Sequence, residues 1–267
     1  MTAEIGGFSQ PSMSRIIHEV TEALCAKSNR YILMPEGDEA HRVRQGFYQI
    51  AQFPSLIGAV DGTHIRVTPP AEGERFYLNR KNFHSLNIQC ICDHEMMFRD
   101  VVAKWPGASH DSFVWGFSRV KERMARGELR GTIIGDSGYP LRQYLMTPYS
   151  QTVTRAQELY NRAHKKTRVL IERAFGILKG RFLCLDKRGG QLVYTPAFAG
   201  RIFVACCILH NVARRAGLED PDIPEVVEDV GAPHAYQDDL PEGRRRRDDL
   251  ASTFLRLVYF DNYLSVA

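Results

Sequence analysis

The sequence predicts an α/β fold in which a mixed sheet is flanked by helices. Three observations carry this reading. Two short apolar runs, Leu56–Val60 and Ile133–Gly135, each lead straight into an aspartate. Between them lie segments with the composition of a hairpin, Asn87–Cys92 and Met97–Trp105, joined by Asp93-His94-Glu95. Two long stretches, 154–183 and 196–216, repeat apolar residues at helical spacing.

Taken in order, residues 1–50 read as a helical segment. Ser9-Gln10-Pro11-Ser12 offers a cap and a first-turn proline, and Met13, Ile16, Ile17, Val20 and Leu24 follow at helical spacing. With small polar residues leading, this stretch is shaped like the recognition helix of a helix-turn-helix. The first helix of such a motif would lie before Gly6, so the chain is expected to begin inside a partial, truncated element. Residues 51–217 read as the main domain. Leu56–Val60 is a buried strand ending at Asp61-Gly62, and Thr63–Val67 alternates apolar and polar as a half-buried continuation. The hairpin comes next, then a helical stretch over 111–126. Gly131–Asp136 is a fourth strand ending in an acid, followed by a loop rich in Pro, Tyr and Thr to about residue 153. Residues 218–267 differ in composition. The acidic, proline-bearing stretch 219–243 is expected to be a poorly ordered linker. Arg244–Arg247 is then a basic run before a short terminal helix, read either as a nuclear localisation signal or as a soluble flank. No internal repeat is present.

A chain of 267 residues can bury a sizeable core, and 44% hydrophobic with 25% charged residues is ordinary for a globular protein. The net charge of +4 permits nucleic-acid binding without demanding it. No apolar run reads as membrane-spanning, and Met1–Gly7 lacks the order of a secretory signal, so no membrane association is expected. The six cysteines show no C-x-x-C spacing and are read as reduced, buried and intracellular. Cys206, Cys207 and His210 could suggest zinc. Adjacent cysteines on a helix point different ways, however, and a satisfied core histidine is the plainer alternative.

The carboxylates carry the chemistry. Asp61 and Asp136 sit at strand ends, where a rigid backbone can hold a side chain over a crevice. Glu172 lies among Val169, Leu170, Ile171, Ala174 and Phe175, and a half-buried carboxylate there needs compensation. A divalent cation would compensate all three acids at once, since magnesium and manganese prefer hard oxygen ligands. Two such ions roughly 4 Å apart could align the attacking water and the leaving oxygen of a phosphodiester. Asp111 opens the predicted helix and could either reach the cluster or only cap the helix. Read alone, Asp61-Gly62-Thr63 and Asp136-Ser137-Gly138 are also plausible turns, and Glu172 could pair with Arg168 or Arg173 instead of a metal.

The motifs taken together resemble the Harbinger transposase-derived nucleases, relatives of the PIF/Harbinger transposases. The matching blocks, in order, are GAVDGTHI (58–65), NRKNFHSLNIQ (79–89), WPGASHDS (105–112), GDSGYPL (135–141), LMTPY (145–149), YNRAH (160–164), IERAFGILKGRF (171–182) and CCILHN (206–211). They cover residues 8 to about 216. The resemblance implies an RNase H-like core whose catalytic triad falls on Asp61, Asp136 and Glu172. It adds Asp111 to the metal-binding set and implies a divalent cation, Mg or Mn. It also implies a further helical segment ahead of this chain's start, loss of transposition by the chain alone, and DNA as substrate. A separate Myb/SANT-like partner is expected to supply DNA recognition and promote nuclear entry, which places the protein in nucleus and cytoplasm.

Lys81, Arg168, Lys179 and Arg181, with Arg80 and His84, lie near the acidic blocks and are candidates for phosphate contact; the alternative is a solvated basic face. Arg168, Glu172 and Lys179 share one helical face, and Lys179 is the leading candidate among them. Two rival functions remain. One is a catalytically silent DNA- or chromatin-binding adaptor. The other is a haloacid-dehalogenase-type phosphatase, whose nucleophile should stand two residues before Asp61. Ala59 is there instead, so that covalent route fails.

Overall fold

A computed structural model of the chain describes residues 9–223 and 239–264, with side chains to residue 257. Three helices open it: α1 (Gln10–Cys25), α2 (Ser28–Tyr31) and α3 (Gly37–Ala51). The Ser9 side chain accepts from the Ser12 amide and Pro11 occupies the first turn, as the sequence suggests. α1 covers the stretch read as the recognition helix of a partial helix-turn-helix. His18 of α1 stacks on Phe198 at 3.9 Å between ring centroids, so this face of α1 lies against the core.

The sheet contains β1 (Leu56–Arg66), β2 (Ser85–Cys92), β3 (Phe98–Pro106), β4 (Thr132–Ile134) and β5 (Leu145–Met146), in the order β3-β2-β1-β4-β5. β1, β2 and β3 pair antiparallel, whereas β4 joins β1 and β5 in parallel. This is the mixed sheet expected of an RNase H-like core. It also shows two departures. β1 is one continuous strand through Arg66, because its pairing with β2 continues to Ser85. Asp61 therefore stands at the place where pairing with β4 stops, after the Ala59–Ile134 pair, rather than at the end of its own strand. The stretch read only as loop contains β5, too short to show a periodicity.

Helices cover both faces. On one, Leu56, Ala59, Ile65, Leu86, Ile88 and Cys90 pack on α6 (Arg155–Arg181) and α7 (Pro196–Arg215). On the other, Ile57, Val60, Ile91 and Ile133 meet Trp115 of α4 (Asp111–Gly116), Val120 and Met124 of α5 (Arg119–Ala125), and Tyr139. From Ala59 onward alternate residues of β1 face α6 and α4/α5, after an irregularity between Leu56 and Gly58. α7 is long and apolar enough to cross a bilayer, but 67% of that window is buried inside the fold, as a core helix requires. Its Asn211 side chain bonds both backbone groups of Phe98 at 2.8 Å and the Tyr31 carbonyl at 2.9 Å.

The basic run lies inside α8 (Pro241–Leu264) rather than ahead of a short helix. Leu250, Ala251 and Phe254 enter the same core as α6, while the Arg247 guanidinium lies 4.1 Å from the centre of the Tyr149 ring. Residues 224–238 of the expected linker fall outside the described residues. All six cysteines are free, but Cys184 is exposed, against the expectation that all would be buried. The zinc alternative is not met. His210 donates from Nε2 to the Met96 carbonyl at 2.9 Å, while the thiol of Cys207 pairs with Cys90 and that of Cys206 with Cys184.

Candidate active site

Asp61 faces α6, because it shares its side of β1 with Ala59 and Ile65. On α6, Arg168 and Glu172 stand one turn apart. The Arg168 guanidinium lies 2.6 Å from Glu172 Oε1 and 3.5 Å from Asp61 Oδ2. Glu172 is therefore on the same side of the sheet as Asp61. Its other oxygen, Oε2, is buried and has no hydrogen-bond partner. Asp136 follows the carboxyl end of β4 and accepts from the Gly138 amide at 2.9 Å, which fixes its loop.

Asp111 comes from the opposite face, at the first turn of α4. The Asn87 amide donates to Asp111 Oδ1 at 2.8 Å and to the Ser109 carbonyl at 2.8 Å, tying the acid to β2. Gly62 lets it approach. A Cβ on residue 62 would stand 2.5 Å from Asp111 Oδ1, inside any permitted contact. The Asp111 charge is felt at both Asp61 and Asp136.

Three of the acids act on one another's charge. Burial, then the neighbouring Asp136 and Asp111 charges, push the Asp61 carboxyl well above its ordinary range despite Arg168. Burial and Asp111 likewise raise Asp136. Carboxylates that raise one another in this way lack a sufficient counter-charge. Hard oxygen donors and the orphaned Glu172 oxygen suit magnesium or manganese. Even so, among the described residues no three carboxylate, histidine or thiol side chains are gathered closely enough to hold one ion in this conformation. Arg168 contacts both Asp61 and Glu172.

The basic candidates divide. Arg80 and Lys81 are exposed on the segment before β2, and the charge of Arg80 is felt at Asp136. Lys179 Nζ donates to Thr63 Oγ1 at 2.7 Å and to the His64 carbonyl at 3.4 Å. Burial lowers its pKa to about 8. Lys179 thus braces β1 two residues beyond Asp61. Arg181 turns away, toward the Glu219 carbonyl at 3.0 Å and Asp220 at 3.5 Å. His84 lies 3.2 Å from Glu74. Asn87 was not singled out from the sequence. β2 also carries Ser85 and a second amide, Gln89, so nothing in its sequence marks Asn87 alone.

Residues 60–211, which span Asp61, Asp111, Asp136 and Glu172, match the family model described as DDE superfamily endonuclease. The chain belongs to the DDE superfamily endonucleases. Within this family it is 38% identical over 216 residues to the Bos taurus protein named "Putative nuclease HARBI1", covering 80% of this chain and 62% of that protein. The Rattus norvegicus protein of the same name is 34% identical over 256 residues, 95% of this chain and 73% of its own length. The Arabidopsis thaliana protein named "Antagonist of like heterochromatin protein 1" is 27% identical over 224 residues, 77% of this chain and 56% of its own. The DDE chain described here thus spans 62% of the length of the first relative. No solved structure matches it.

Proposed function

We propose that this chain is the catalytic core of a divalent-metal-dependent DNA endonuclease, derived from a Harbinger-type transposase and without transposition activity by itself. Asp61, Asp136 and Glu172 are the catalytic acids, and Asp111 joins them in the metal-binding set. The observation that carries this reading is the elevation of the buried Asp61 carboxyl by Asp136 and Asp111, and of Asp136 by Asp111, beside an unpartnered Glu172 oxygen.

Magnesium or manganese, when bound, would acidify a water and screen the phosphate's charge. The protein supplies the rest. Asp61 is fixed in a paired strand, and its Oδ1 accepts from the Gly62 amide at 2.8 Å. Asp136 is fixed by its loop and Asp111 by Asn87. Arg80 and Lys81 offer exposed charge for the phosphates on either side of the cut. Lys179 is a positioning residue that steadies β1 from α6. Rigid placement matters because an acid displaced by even 1 Å loses much of its effect.

Incubation of the full chain with supercoiled plasmid and Mg or Mn tests the reading. Nicking is expected, and Asp61→Asn, Asp136→Asn and Glu172→Gln should abolish it with the circular dichroism spectrum unchanged. If Asp61→Asn cuts as well as the parent, the site is wrongly assigned.

One observation favours a second reading, a silent DNA- or chromatin-binding adaptor. Arg168 already supplies a counter-charge to Asp61 and Glu172 without a metal. Under either reading a Myb/SANT-like partner would direct DNA recognition, with the protein shared between nucleus and cytoplasm. Absence of cleavage across metals and DNA forms, with that partner present, would favour the adaptor.

A further inference from the structure

Beside the acids, α4 and the loop after Asp136 enclose a cavity of about 330 Å³, lined among others by His110, Phe113, Lys121, Arg142 and Tyr144. No carboxylate lines it. Its lining includes His110 and Ser112, the two chain neighbours of Asp111, and Pro140, Arg142 and Tyr144 from the segment after Asp136.

Phe113 borders this cavity, and its ring forms an aromatic lip with Phe117 and Trp105, which pack beside it outside the cavity lining. Phe113 and Phe117 are 46% and 58% exposed, and they lie four residues apart on one side of α4 and its cap. Their ring centroids are 4.9 Å apart, and Phe113 stands 4.9 Å from Trp105 at an interplanar angle of 79°. Lys104 Nζ lies 5.2 Å from the centre of the Trp105 ring. The buried Trp105 Nε1 has no hydrogen-bond partner. Exposed aromatic rings ringed by cations are the usual arrangement for holding unpaired bases along a phosphate chain.

We propose that this cavity and its aromatic lip bind one unpaired nucleotide of a DNA strand beside the catalytic acids. The base lies against Phe113, with Phe117 and Trp105 supporting that ring. Lys121 and Arg142 face the phosphates. A base in a closed duplex cannot reach the Phe113 ring, because its faces are covered by its neighbours. The preferred substrate is therefore DNA that is single-stranded or carries an unpaired base at the cleavage point. The absence of acids from the cavity and its position against the acidic group favour a nucleic acid over a protein as the occupant.

This inference rests on the nuclease reading for its substrate, but its test does not require cleavage. Binding of the full chain to labelled DNA of about 20 nucleotides, long enough to cover such a site, is measured by fluorescence anisotropy at one salt concentration. The probes are a single strand, its duplex, and the duplex with one unpaired base. Phe113→Ala should weaken the single strand and the unpaired-base duplex about tenfold and leave the closed duplex within about twofold. Phe113→Tyr should restore binding, which separates loss of a stacking ring from misfolding. Lys121→Ala should weaken all three probes and reduce their salt dependence. Equal loss on all probes with Phe113→Ala, or no loss, overturns the proposal. So does a Phe113→Ala variant that binds DNA normally but changes sedimentation, which would mark the lip as a protein interface. If DNA is bound as expected but never cut, the nuclease reading fails and this one stands.

Discussion

Arg168 holds Glu172 by a 2.6 Å contact while reaching within 3.5 Å of Asp61, so a single guanidinium stands where the acids would share a cation. A metal at the proposed site would compete with this arginine for the same charge. Arg168→Gln should cost the metal-free protein roughly 3 kcal/mol, because it leaves partly buried carboxylates unpaired. The same variant should gain more in Tm from manganese than the parent does. Thermal unfolding with and without manganese reads both effects; an equal manganese response in the two proteins would show that Arg168 does not compete.

The repulsion between Asp61 and Asp136 predicts a trade between stability and function. Burial raises both carboxyls, with Asp136 and Asp111 adding to it at Asp61 and Asp111 at Asp136, so their ionised forms oppose folding. Asp136→Asn is expected to stabilise the metal-free chain by about 1 kcal/mol while removing its response to manganese. A chemical denaturation series checks this, and a destabilised Asp136→Asn protein would contradict it.

Acid sensitivity should arise from two buried histidines. Burial lowers His164 and His210 from 6.5 to about 4. Each donates from Nε2 to a backbone carbonyl, of Met146 and Met96 respectively. Below about pH 6.5 the unfolded chain takes up a proton that the folded chain refuses, so stability falls progressively between pH 6.5 and pH 4. The loss should be on the order of a few kcal/mol. His210→Gln should flatten part of that slope when unfolding free energy is measured against pH, and an unchanged slope would assign the acid loss elsewhere.

Asn211 predicts a packing defect of another kind. It is fully buried, and its amide satisfies both backbone groups of Phe98 together with the Tyr31 carbonyl. Asn211→Leu keeps much of the volume but orphans those groups, at a cost of about 3 kcal/mol. A urea midpoint within experimental error of the parent's would show that water replaces the amide.

Much of this architecture is legible in the sequence because apolar runs and helical spacing report burial directly. Val60-Asp61, Gly135-Asp136 and the apolar neighbours of Glu172 mark the site by the same logic. What escapes is set by contacts far along the chain. The end of pairing at Asp61 depends on how short β4 is, and nothing near residue 61 records that. Leu145–Met146 is too brief to show a period. The Arg244–Arg247 run looks like a flank until Leu250 and Phe254 show where its helix docks. Lys179 carries the charge of a phosphate ligand, and only its contact with Thr63 reveals a brace. Arg181 is drawn away by Asp220, 39 residues on.

Residue 62 has a larger consequence than its size suggests. With hydrogen alone at that position, an acid from one side of the sheet can lean across the strand toward acids held on the other. A methyl group would push Asp111 back and break its link to Asn87, splitting the acidic group into two halves on separate layers. The assembly of this centre from both sides of one strand thus depends on the least bulky residue in it.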